Sequence, residues 1–267
     1  MSNVTSVIVR GVDLAYRDEG VGDPPLVWSH GFASSMRSEG NGLIDFRSLA
    51  TCCRVIRWDA RGHGQSEGGG ASDDYRWDRL GRDLLELADG LGLARFVAGG
   101  LSMGAALALH AAVAAPERVL GLVVVLPPTA YEGRGDESRR YLEDAELVRN
   151  QGPDAFIARA NATGPPSVLA PVAEDFRWIP AVAAEQLPSV LRGAAASDLP
   201  ARAAISRLTM PTLILTWVDD PGHPLGIAHE LRDLIRNSRL EVAREVDDIG
   251  TWTAVIADHL RSWSGSA

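Results

Sequence analysis

The chain contains no lysine: all 26 of its basic residues are arginine. That excludes a lysine Schiff base, covalent attachment of pyridoxal phosphate and a phosphate-binding P-loop lysine. Cysteine is almost absent too. Cys52 and Cys53 are adjacent, so a disulfide between them would be badly strained, and beside Val55-Ile56 both read as small buried hydrophobes. A reducing, cytoplasmic setting is expected, with no secretory leader at the N-terminus. The longest apolar run, Leu120–Leu126, is far too short to cross a bilayer. A surplus of positive charge is also missing. A net charge of −9 argues against nucleic acid or an anionic membrane as partner. The six histidines do not fall at metal-ligand spacing and no dinucleotide fingerprint is present, so neither metal nor cofactor is expected.

What the chain does have is the length and apolar content to bury a substantial core, with 267 residues of which 46% are hydrophobic. Val4–Arg10 and Val12–Arg17 alternate about a glycine and suit an opening hairpin. Pro25–Ser29, Arg54–Trp58, Ala94–Ala98, Leu120–Leu126 and Thr212–Thr216 are short apolar runs bounded by turn residues, as buried parallel strands are, and Leu240–Val246 reads as the last strand. Helical patterns lie between them at Trp77–Leu91, Ala105–Ala115 and, at the end, Thr253–Trp263. Alternating strands and helices predict an α/β fold with a mainly parallel sheet. Some eighty residues between Leu126 and Thr212 lack a strand pattern. Arg139–Asn150, Pro153–Ala160, Ala181–Leu191 and Leu199–Arg207 look helical there, interrupted by prolines at 165, 166, 171, 180 and 188. That is too long for a loop and reads as a helical insertion over one end of the sheet.

The most informative stretch is Gly100-Leu101-Ser102-Met103-Gly104, a G-x-S-x-G between a strand and a helix. Such a turn holds its serine in a strained backbone, with small neighbours that let strand and helix close in. Three more motifs follow strands: Ser29-His30-Gly31-Phe32, Asp59-Ala60-Arg61-Gly62-His63-Gly64-Gln65-Ser66, and Pro211-Thr212-Leu213-Ile214-Leu215 running into Asp219-Asp220-Pro221. Together they make the chain resemble the α/β-hydrolase superfamily, specifically its small members with a helical cap. The resemblance runs from about Val12 to the last strand. It implies an eight-stranded, mainly parallel sheet flanked by helices, formed by residues 1–127 and 208–267, with residues 128–207 as a cap inserted before the strand at Thr212. It also implies Ser102 as nucleophile and Asp220, rather than Asp219, as the acid. The N–H groups of Phe32 and Met103 would receive an oxyanion beside His30 and Gly31, each such donor contributing about 3 kcal/mol in a dry pocket. By the same resemblance His63 is structural. His110 reads as a core residue, and His229 and His259 as ordinary helix positions.

One part of the pattern fails. The family's general base is a histidine shortly after the last strand, usually in a Gly-His pair, and here Gly250-Thr251 stands in that place. Threonine cannot accept a proton at neutral pH, and serine is a poor nucleophile without a base. Two histidines are candidates to substitute. His223 follows Asp220 by three residues in a Pro-Gly turn, and His30 lies beside the oxyanion loop. Three readings stand. The first is a hydrolase of a small ester, lactone or thioester with a rewired or degenerate triad. The second is a non-hydrolytic lyase or cyclase, and the third a ligand-binding protein that has lost catalysis. The apolar insertion suggests a small hydrophobic substrate.

Overall fold

The computed structural model describes residues 4–39, 43–172 and 178–261. Eight strands, β1 (Thr5–Val9), β2 (Val12–Glu19), β3 (Leu26–Ser29), β4 (Val55–Trp58), β5 (Phe96–Leu101), β6 (Val119–Val125), β7 (Thr212–Trp217) and β8 (Ser238–Ala243), form one sheet in the order β1-β2-β4-β3-β5-β6-β7-β8. The β1–β2 and β2–β4 pairs are antiparallel and the others parallel. The α-helices are α1 (Phe46–Ala50), α2 (Trp77–Gly90), α3 (Met103–Ala114), α4 (Arg134–Gln151), α5 (Pro153–Ala162), α6 (Leu187–Ala195), α7 (Arg202–Ile205), α8 (Leu225–Leu234), α9 (Val246–Gly250) and α10 (Trp252–Arg261).

Alternation along each strand builds two cores. Phe96 and Ala98 of β5, Leu122 and Val124 of β6 and Ile214 of β7 pack with α2, α3 and α8 on one face. Val97, Val123, Val125, Leu213 and Leu215 pack with α1, α9 and α10 on the other. Both faces are covered, which is why these strands read as continuous apolar runs. The helices between β6 and β7 have a third, smaller core of Ala145, Val148, Phe156, Leu187 and Leu191, with Phe32 packed against it from the loop after β3.

Several boundaries differ from the sequence expectation. β5 runs on through Gly99 and Gly100 to Leu101, because those glycines are where β5 meets its neighbours rather than where it turns. β8 ends at Ala243, not Val246. The carboxylate of Glu245 and that of Asp248 form a reciprocal capping box that starts α9 at Val246, so an apolar residue that looks like strand is helix instead. The helix expected over Ala181–Leu191 begins only at Leu187, since Val182 is taken into an antiparallel bridge with His63. The one expected over Leu199–Arg207 shrinks to α7, and α4 starts five residues earlier than the pattern implied. The last two residues of the expected closing helix, 262 and 263, lie outside the described residues. Cys53 is buried as expected, but Cys52 is exposed in the turn after α1. Among the described residues no helix is long and apolar enough to cross a membrane.

Candidate active site

Ser102 sits between β5 and α3 with φ 55° and ψ −111°, a left-handed backbone that non-glycine residues rarely adopt. The two motif glycines make that turn possible. A Cβ on Gly100 would lie 2.4 Å from Gly104 C, and one on Gly104 would lie 2.0 Å from Ser29 O. The hydroxyl therefore stands at the carboxyl end of the central strand, over the N-terminus of α3, where the helix field favours negative charge.

The partner of this hydroxyl comes from the loop after β7. Ser102 Oγ and His223 Nε2 are 2.8 Å apart, and His223 Nδ1 is 2.8 Å from Asp220 Oδ2. A carboxylate only accepts, so Nδ1 carries the imidazole proton and Nε2 is free to accept from the serine. The same Asp220 oxygen accepts from Trp217 Nε1 at 2.7 Å, while Oδ1 accepts from the Gly222 N–H at 2.9 Å. Burial pushes the Asp220 carboxyl up, but the hydrogen bonds and charge of His223, the Trp217 indole and the Gly222 amide outweigh it, and the net shift is downward. Thr129, just after β6, fixes the turn: its hydroxyl lies 3.1 Å from Pro221 O and its N–H donates to Gly222 O at 3.0 Å.

These groups open on a cavity of about 500 Å³. Gly31, Phe32 and Leu101 form part of its wall on the sheet side, and Tyr141, Leu169 and Trp178 part of its wall on the side of the helices between β6 and β7. Residues 24–164 match the family profile described as the alpha/beta hydrolase fold, which is more than half of the chain. The chain belongs to the alpha/beta hydrolase fold family. Among curated relatives, it is 28% identical over 246 residues to 3-oxoadipate enol-lactonase 2 of Acinetobacter baylyi, covering 89% of this chain and 87% of that one. It is 31% identical over 162 residues to a putative 2-succinyl-6-hydroxy-2,4-cyclohexadiene-1-carboxylate synthase of Bacillus subtilis, covering 59% of this chain and 58% of that one. The enol-lactonase from Burkholderia xenovorans LB400 superposes with a TM-score of 0.78 at 23% identity, covering 96% of this chain and all of that one, a likeness of fold.

Thr251, which stands where the sequence leads one to expect a family histidine, faces elsewhere. Thr251 is exposed at the end of α9, and its hydroxyl donates to Asp248 O at 2.7 Å. His259 lies in α10 with Nε2 3.2 Å from Leu122 O. The other candidate base, His30, needs correction. Its Nε2 accepts the Ala60 N–H at 3.0 Å, so Nδ1 donates to Gly31 O at 2.8 Å, and burial lowers the ring to about 4. Both nitrogens are committed to backbone, so His30 holds the loop after β3 and is not among the residues lining the cavity. His63 is buried beside it with ring centroids 5.0 Å apart, lowered to about 3 by burial and by His30. His110 packs at the α2–α3 interface and bonds Asp198 O, and His229 lies in α8. Gly31 and Phe32 line the cavity, whereas the Met103 side chain is buried in the core, leaving only its backbone for the site. Among the described residues, no acceptor takes the N–H of Phe32 or of Met103.

Sequence reasoning missed Glu39. Its Oε1 accepts from the Gly31 N–H at 2.9 Å and its Oε2 from Trp28 Nε1 at 2.9 Å, so it pins the peptide that leads into Phe32. Burial pushes this carboxyl up to about 8 against the lowering effect of those two donors and of Arg57. No motif marks it, because its partner is a backbone amide eight residues earlier. Trp217 and Arg134 were missed as well, although Trp217 stands only three residues before the acid.

Proposed function

We propose that the protein is a serine hydrolase of small carboxylic esters or lactones, with Ser102 as nucleophile, His223 as general base and Asp220 holding the imidazole. The observation that carries this reading is the unbroken relay Ser102 Oγ–His223 Nε2 and His223 Nδ1–Asp220 Oδ2, each link 2.8 Å. It has the roles of a Ser-His-Asp triad, with acid and base drawn from one turn. Ser102 Oγ bonds to the substrate carbonyl carbon as its proton passes to His223 Nε2, and the carbonyl electrons move onto oxygen. The N–H groups of Phe32 and Met103 receive that oxyanion. Collapse breaks the bond to the leaving oxygen, which takes the proton from His223. Water then repeats the sequence, breaking the acyl–Ser102 ester and releasing the acid.

Residues 128–207 act as the cap in this reading, and a cavity of about 500 Å³ suits a small substrate with an aliphatic body. The likeness to an enol-lactonase supports hydrolysis; the likeness to a Bacillus synthase supports the second reading, a non-hydrolytic lyase or cyclase. Steady-state assays with 4-nitrophenyl butyrate and a δ-lactone separate them. Turnover in the parent, with an acyl-Ser102 adduct in quenched samples and loss of both in Ser102→Ala, is expected. A folded parent that forms no adduct and hydrolyses neither substrate overturns the hydrolase reading.

A further inference from the structure

Among the described residues, one cation on the cavity wall, Arg134, has no carboxylate in salt-bridge range. Arg134 is 6% exposed, and its guanidinium lies 4.2 Å from the Trp77 ring centre and 5.4 Å from that of Tyr141. Three of its donors go to main-chain carbonyls: Nε to Ser197 O at 2.6 Å, Nη2 to Ala194 O at 2.5 Å and Nη1, weakly, to Thr129 O at 3.4 Å. An arginine has five N–H groups, so two are not taken by carbonyls, and the Tyr141 hydroxyl is within hydrogen-bonding reach of the guanidinium, a neutral partner rather than an anionic one. Among the described residues no carboxylate lies within salt-bridge distance of it. Buried charges are ordinarily paired, and a lone one is costly to keep out of water. Burial accordingly pulls its pKa down, opposed by Tyr141, Asp198 and Glu137.

The neighbouring charges do not answer it. Glu137 is bonded to Arg140, which lies over Tyr141 at 5.0 Å, so those two cancel. Asp198 spends its oxygens on the N–H groups of Tyr131 and Leu199. Glu39 is tied to Trp28 and Gly31, and Asp220 to His223. Arg134 also opens α4, the end of a helix where a positive charge is unfavourable and an anion is welcome. Arg134, Glu137, Arg140 and Tyr141 line the cavity that also holds Ser102 and His223.

We propose that Arg134 anchors an anionic substituent, so that the preferred substrate is an ester or lactone whose acyl part ends in a carboxylate. The proposal rests on the hydrolase reading for its substrate class, but the anion site itself does not. A guanidinium–carboxylate contact in a shielded pocket supports about 10- to 100-fold selectivity.

The test compares mono(4-nitrophenyl) glutarate with its methyl ester, which has the same reacting carbonyl and no charge. The parent is expected to favour the acid at least 10-fold in kcat/KM, mostly through KM. Arg134→Met is expected to abolish that preference, lowering kcat/KM for the acid at least 10-fold more than for the methyl ester. Because Arg134 also ties three carbonyls and its loss weakens the fold, glutarate and dimethyl glutarate are in addition titrated calorimetrically into Ser102→Ala. Tenfold tighter binding of glutarate is expected. Hydrolysis of both esters without preference, or equal binding, overturns the anion site and leaves the hydrolase reading standing. Selective glutarate binding by a protein that hydrolyses neither ester overturns only the hydrolase reading.

Discussion

The loops after β7 and β8 leave neighbouring parallel strands at the same end of the sheet, yet only one of them reaches the serine. After β7 the chain turns sharply, with Asp219 at φ 59°, and within three residues presents Asp220 and His223 to each other and to Ser102. After β8 the capping box diverts the chain at once into α9, and Thr251 ends up exposed with its hydroxyl bonded to its own helix. A general base is selected by reach and tautomer, not by its order in the sequence. On the proposed reading, the Pro221-Gly222 turn, pinned by Thr129, supplies both with far less chain than a route through a second loop.

Removing the β7-side base should break the contrast most completely. His223→Ala is expected to lower kcat on an aryl ester by about 10⁴- to 10⁶-fold with an unchanged thermal melt. Asp220→Asn should cost about 10⁴-fold by destroying the tautomer that Nδ1 requires. Thr129→Val keeps the triad but frees the turn, and a drop of about 10-fold in kcat at unchanged stability of the core would show that the turn is held rather than self-supporting.

The pH dependence of stability sharpens a second contrast, between the half-buried relay and the groups behind it whose pKa burial shifts. His30, His63 and His259 are lowered from 6.5 to about 4, 3 and 4 by burial, so their contribution is full above 6.5 and is lost as pH falls below it. Glu39 is raised from 4.5 to about 8, so its contribution is full below 4.5 and is lost as pH rises to 8. Between 6.5 and 8 only Glu39 of these four still titrates in the folded protein. Urea melts should therefore show stability falling across that interval, and Glu39→Gln should flatten it. A parent whose stability rises there contradicts the assignment. The smallest effect belongs to the β8 side. Thr251→Ala should change kcat/KM by less than about 2-fold, and Thr251→His placed in His223→Ala should restore nothing, because that position faces away from the cavity.

Much of this was legible before any coordinates. The G-x-S-x-G turn is marked by its glycines, and the strand before Asp219-Asp220 is legible after it, whereas the sequence alone leaves His223 as one of two candidate bases beside His30. What was not legible depends on side chains meeting backbone. Glu39 reaches an amide eight residues earlier with no periodicity to mark it, and Arg134 stood in an apparent loop until α4 was found to begin there. His30 shows the opposite error: motif position placed it near the pocket, but only the Ala60 amide reveals that its ring turns into the core. The misplaced end of β8 came from Val246, where the capping box Glu245–Asp248 was the stronger signal than the apolar alternation.

The central claim is that His223 activates Ser102, and the most direct measurement is the rate of fluorophosphonate labelling, with the modified peptide mapped by mass spectrometry, in the parent and in His223→Ala. Labelling confined to Ser102 in the parent and slowed at least 10³-fold in His223→Ala is the expected result. Equal labelling of both proteins, or none in a folded parent under conditions that label a control serine hydrolase, would contradict the account.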